Sequence, residues 1–166
     1  MGKRGSKPDW VAAESAIAAG LRDAFECAER VFWCNTNRDG TQAQPMALEN
    51  QMHTRGFAAA WIPFAYPGHM NRVRAGDMII MYANRQGVIA IGRATHGAEV
   101  LGPRDSDRIR VFKYGRHDEE WRVPVEWCVW NEDAPLTMRP LRTSFLEITK
   151  HDKLLKKISK HYAKVS

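Results

Sequence analysis

The chain has 166 residues, 44% of them hydrophobic, and carries a formal net charge of +6. Such a length holds one domain with a real core, and the apolar content excludes a disordered chain. The longest apolar runs, as at 57–64 (FAAAWIPF), fall far short of a membrane span, so no membrane partner is expected.

Residues 1–8 (MGKRGSKP) read as a flexible leader, and 9–166 as a single domain. No apolar signal core follows the basic start, so a cytoplasmic protein is expected. Asp9 is placed to cap a helix running through Ala12, Ala13, Ala16, Ile17 and Leu21 to about Arg30. Val31-Phe32-Trp33-Cys34 predicts a buried strand, and the polar run 35–44 a loop. Pro45 opens a second helix over 46–54, with Gly56 after its end. The segment 57–61 predicts a strand or extended core segment that Pro63 stops, and turn chemistry at Tyr66-Pro67-Gly68 begins a loop to about Arg72.

The stretch 74–94 (RAGDMIIMYANRQGVIAIGRA) carries the clearest pattern in the chain. Two short apolar runs, 78–82 and 88–93, flank a polar turn and predict a β-hairpin. A Gly/Pro/Asp loop is expected over 97–107, then an alternating strand at 108–114. In 120–130 (EWRVPVEWCVW), Trp121, Val123, Val125, Trp127 and Val129 alternate, which predicts one shared face. Pro124 falls on the other face, so this strand is expected at an edge or bulged there. After the loop 131–140, residues 143–148 (TSFLEI) lead to a last helix. Thr149 and Asp152 have capping-box spacing, and Leu154, Leu155, Ile158 and Tyr162 form an apolar stripe. The order is α-β-α-β-β-β-β-α, with helices mostly at the ends, which predicts an α+β fold.

Catalytic signatures are missing: there is no H-x-x-x-H or H-E-x-x-H pair, P-loop, G-x-G-x-x-G or G-x-S-x-G. The adjacent Glu119 and Glu120 read as solvated turn carboxylates. Cys27, Cys34 and Cys128 lie far apart in apolar stretches and read as reduced core thiols. A non-enzymatic module without metal or cofactor is therefore expected.

The unusual feature is aromatic. Six tryptophans are present, and Trp33, Trp61, Trp121, Trp127 and Trp130 fall in or beside predicted strands. Trp33 runs into Asn35-Thr36-Asn37, Trp61 into Phe64 and Tyr66, and Tyr82 into Asn84-Arg85. Rings at strand ends beside amides and hydroxyls suit a flat polar ligand such as a flipped or single-stranded nucleobase. Arg38, Arg55, Arg72, Arg74, Arg85 and Arg93 lie close in sequence to these aromatics and suit phosphates. Six lysines between Lys150 and Lys164 offer a second basic surface.

The run 76–82 (GDMIIMY) followed by 87–92 (GVIAIG) resembles the hairpin of EVE domains. Residues 31–37 (VFWCNTN) resemble their first strand and its polar exit. Residues 121–135 (WRVPVEWCVWNEDAP) with Leu141-Arg142-Thr143 are similar to the end of EVE and YTH domains. The resemblance covers roughly residues 30–160 and implies a PUA-like β-barrel of five to six strands flanked by helices. It implies a module that reads a modified base in DNA or RNA within an aromatic pocket. Trp33, Asn35, Thr36, Asn37, Trp61 and Tyr82 would line that pocket; Phe64 and Tyr66 join it on chemistry alone. Arg38, Arg72, Arg74, Arg85 and Arg142 would hold phosphates. Cutting, in a restriction setting, would belong to a separate nuclease or effector subunit. Two alternatives remain open: a hydrolase of the ASCH type, which shares the fold, acting on a nucleoside or amide, and a protein-interaction module using the lysine-rich helix.

Overall fold

The computed structural model describes residues 27–36, 48–61, 67–84, 86–102, 104–109, 119–130, 133–141 and 143–162. The leader, most of the first expected helix, most of the expected strand 108–114, and Asn37, Arg38, Phe64, Tyr66, Arg85 and Arg142 lie outside them.

The described elements are β1 (Val31–Asn35), α1 (Leu48–Arg55), β2 (Phe57–Trp61), α2 (Pro67–Met70), β3 (Met78–Ala83), β4 (Gly87–Ala94), β5 (Glu99–Leu101), β6 (Glu120–Trp130), β7 (Phe145–Glu147) and α3 (Asp152–Tyr162). The strands form one mixed sheet in the order β2-β6-β4-β3-β1-β7, with β5 also paired to β6. Only β1 and β3 run parallel, in register from Val31↔Met78 to Asn35↔Tyr82. The sheet curls into a nearly closed barrel, and the Cys34 thiol of β1 donates to the Ala59 carbonyl of β2 at 3.5 Å. The element order predicts an α+β fold and the resemblance implies a barrel flanked by helices; the structure has both features. No helix among the described residues is long and apolar enough to cross a membrane.

Alternation along β1 and β3 sorts side chains into two layers. Phe32, Cys34, Ile79 and Met81 point into the barrel with Ile89, Val123, Phe145 and Trp61. Val31, Trp33, Met78, Ile80 and Tyr82 point outward, where Leu136, Ile148 and the apolar stripe of α3 cover them. Both faces are buried, which is why VFWCN and MIIMYA read as continuous apolar runs rather than alternating ones.

The β3–β4 hairpin forms as expected, with a register shift at Met81/Tyr82. Gly87 opens β4 at φ +128°, and a Cβ there would strike the Leu136 carbonyl. That close approach lets Val88 and Leu136 exchange two backbone hydrogen bonds of 3.1 Å.

Several local expectations are corrected. Strand β6 spans the expected residues but is not an edge: β2 pairs on one side, β4 and β5 on the other. Pro124 is tolerated because it sits where β6 changes partner, between Arg122↔Glu99 and Val125↔Ala94. The irregularity falls later, where Ile91↔Val129 is followed by Gly92↔Trp127. The extra residue, Cys128, flips the phase, so Val129 packs in the outer layer while Trp121, Val123, Val125 and Trp127 face the inner one. Strand β5 and helix α2 lie in segments read as loops. Thr149 does not cap α3; its hydroxyl accepts from the Val31 N–H at 3.0 Å and donates to Glu147 at 3.1 Å. Of the cysteines, Cys34 is buried as expected, but Cys27 and Cys128 are exposed.

Candidate functional site

Two polar groupings lie within the barrel walls, and they differ in how their hydrogen-bonding groups are used. The first sits where β1 and β3 end together. Asn35 pairs with Tyr82, the Asn35 N–H donates to the Ser144 carbonyl at 2.8 Å, and the Thr36 N–H donates to the Tyr82 carbonyl at 3.0 Å. The chain therefore brings Trp33, Asn35, Thr36, Tyr82 and the residues around Ser144 to one end of the sheet. The Gln86 N–H donates to Ala83 at 3.1 Å, which fixes the hairpin turn at this same end.

Trp33 and Tyr82 stack here, with centroids 5.0 Å apart and planes at 28°. Offset pairs at this separation are favourable by about 0.5–1.5 kcal/mol beyond area burial. The Tyr82 hydroxyl donates to the Met138 carbonyl at 2.9 Å, and burial raises its pKa above the ordinary phenol value. Among the described residues, Trp33 Nε1 is buried without a hydrogen-bond partner, and so are Thr36 Oγ1 just beyond β1, Gln86 Oε1 in the hairpin turn and Thr143 Oγ1 next to Ser144. Trp33 and Thr36 are fully buried. An unsatisfied buried group costs about 1–3 kcal/mol, so such a concentration is not what packing alone selects. By contrast, Trp61, Trp121 and Trp127 donate their indole N–H groups to Glu120, Glu119 and the Met52 carbonyl.

The second grouping centres on Glu120, which is fully buried in β6 and not a turn carboxylate. It accepts from Trp61 Nε1 at 3.0 Å, from the Ile109 N–H at 3.0 Å and from Arg122 Nε at 2.6 Å. Arg122 also donates to the Asp107 carboxylate at 2.8 Å and to its carbonyl, and lies over the Phe57 ring at 4.1 Å. Hydrogen bonding by Arg122, aided by its charge and that of Arg55, holds the Asp107 carboxyl below its usual range. This network ties the 104–109 segment to the barrel wall. Sequence reasoning missed it because Glu120 and Arg122 are two apart on one strand, a spacing that acquires meaning only when both point to the same side.

The expected site residues therefore divide. Trp33, Asn35, Thr36 and Tyr82 come together, while Trp61 lies in the inner layer with Glu120 and is not brought to them. Arg74 precedes β3 at the opposite end of the sheet, its guanidinium donating to the Asn71 and Val73 carbonyls. Arg72 pairs with Glu147 at 2.8 Å. Thr143 and Gln86 were not foreseen; their polarity is ordinary for loops, and only burial distinguishes them.

Cys34 is the one buried thiol, with its pKa pushed up to about 12 by burial, which makes it a poor nucleophile. No group of three or more His, Cys, Asp or Glu among the described residues is placed to hold a metal. Neither a protein-family model nor a curated protein matches the chain.

Proposed function

We propose that this protein is a nucleic-acid-binding module that reads a modified or flipped base at the Trp33–Tyr82 end of the barrel. The observation that carries the reading is the set of buried polar atoms without partners at the end of the sheet that also holds a stacked aromatic pair. A nucleobase supplies what that set lacks: a flat face for the rings and an edge of donors and acceptors for the polar atoms. Trp33 Nε1 donates only, so it takes a ring nitrogen or carbonyl of the base; the threonine hydroxyls serve either role. At 5.0 Å the two rings already touch. Both rings are buried, so the base reaches the pair by displacing what covers it and does not enter between its members.

The barrel, the resemblance of the hairpin and first strand to EVE domains and that of residues 121–135 to the end of EVE and YTH domains support the same reading, that of a PUA-like reader without catalysis of its own. In a restriction setting it would act beside a separate nuclease or effector subunit, within the cytoplasm. Titrating matched oligonucleotides, each bearing one modified base or none, at two salt concentrations tests it. One modification should bind at least tenfold tighter than the unmodified strand, and Trp33→Phe should remove most of that preference while leaving weak, unselective binding. Equal and negligible binding of every oligonucleotide would end the proposal.

A further inference from the structure

Helix α3 has two faces with unlike duties. Leu154, Leu155, Ile158 and Tyr162 pack onto the outer layer that contains Trp33 and Tyr82. Lys153, Lys156, Lys157 and Lys160 are exposed on the other side. Their spacing of i, i+3, i+4 and i+7 places them in one row along the helix. None of the four forms an ion pair among the described residues. The one carboxylate of the helix, Asp152, lies in the first turn, where it complements the helix dipole. An exposed helix is ordinarily stabilised by opposite charges four residues apart; this row sets like charges at those distances and is destabilised by them. A single-signed row without counter-charges is what an anionic partner completes.

The course of the helix relates this row to the base-reading end. Ile148, just before α3, donates its N–H to the Val31 carbonyl at the start of β1. At the far end, the Tyr162 hydroxyl donates to the Val88 carbonyl at 2.9 Å, and Val88 pairs with Tyr82. The helix therefore crosses the outer layer from the start of β1 to the Tyr82 end, and the row arrives there at Lys160. Seven residues of helix span about 10 Å. One nucleic-acid strand carries a phosphate about every 3.4 Å of duplex axis, so the row matches about three of them.

We infer that Lys153, Lys156, Lys157 and Lys160 form a phosphate-binding rail, along which a nucleic-acid backbone lies while its base is presented at the Trp33–Tyr82 end. The inference rests on the base-reading proposal for the direction of the strand, but not for the charge of the partner. A membrane surface fits less well. An interfacial helix inserts its apolar face into the lipid, and here that face is already packed on the barrel.

The test measures the dependence of oligonucleotide affinity on salt for the full chain and two variants. One carries Lys153→Gln, Lys156→Gln, Lys157→Gln and Lys160→Gln; the other carries arginine at the same four positions. All four side chains are exposed, so thermal melting of the arginine variant should match the parent, and that of the glutamine variant should match or exceed it because the like-charge repulsion is relieved. The slope of log affinity against log salt should become shallower by about two to three in the glutamine variant and stay unchanged in the arginine variant. Discrimination between modified and unmodified strands should survive in both. An unchanged slope in the glutamine variant overturns the rail even if base discrimination persists. Phosphatidylserine vesicles bound more tightly than any oligonucleotide would overturn it as well. A lost slope in a protein that never discriminates between bases supports the rail and removes the base reading instead.

Discussion

The two polar groupings of this barrel invite comparison because both are buried and both contain tryptophan. Around Glu120, the carboxylate is filled by groups of the same chain: Trp61, the Ile109 N–H and Arg122 share it, and Arg122 continues to Asp107. At the Trp33 end, the indole N–H and two threonine hydroxyls meet none among the described residues. A saturated cluster holds a structure together; an unsaturated one at a strand end keeps bonding capacity for something that arrives later. Burial and residue type do not separate the two cases. Hydrogen-bond accounting does.

The largest effect should come from breaking the saturated cluster. In Glu120→Gln, Arg122 remains buried with its nearest counter-charge removed, and a cost of about 3 kcal/mol in denaturant unfolding is expected. Oligonucleotide affinity of the folded protein should be unchanged, because Trp61, Ile109 and Arg122, which bond to Glu120, are not among the residues gathered at the Trp33 end. A variant that stays fully stable but loses binding would reverse the roles assigned to the two groupings.

A smaller effect concerns the helix that covers the unsaturated end. Burial raises the pKa of both Tyr82 and Tyr162 above the ordinary phenol value. Their neutral forms are thus favoured in the folded protein, which holds its phenolic protons to higher pH than the unfolded chain does. Stability should be constant through neutral pH and fall as pH rises past about 10, where tyrosines of the unfolded chain ionise. Tyr162→Phe should cost about 1 kcal/mol at pH 7 through the lost bond to the Val88 carbonyl, and should make the alkaline decline less steep. Urea unfolding at pH 7 and pH 10.5 measures both.

Much of the fold was legible in the sequence, and the reasons are local. The β3–β4 hairpin announces itself through two short apolar runs around a polar turn, and β6 through apolar residues at alternate positions from Trp121 to Val129. What stayed hidden depends on contacts distant in sequence. Nothing near Cys128 signals the extra residue that turns Val129 outward, because the bulge is defined against β4. Thr149 has the spacing of a cap, yet the Val31 N–H claims its hydroxyl from 118 residues away. The site divides in the same manner. The polar exit of β1 was visible as Asn35 and Thr36, and its meeting with Tyr82 follows from the parallel pairing of β1 with β3. Trp61 resembled its companions because it also ends a strand, but β2 lies at the other end of the sheet order and turns it toward Glu120.

The central claim is that the Trp33 end is unsaturated for the sake of a ligand, and Thr36→Val tests it most directly. Valine has the shape of threonine and removes a buried hydroxyl without a partner. Thermal melting and oligonucleotide titration are measured on the same preparation. The variant should be as stable as the parent or more stable by up to about 1 kcal/mol, and should bind the preferred modified oligonucleotide about tenfold more weakly. A variant that loses stability and keeps its affinity would show that the Thr36 hydroxyl serves the fold, contradicting the account.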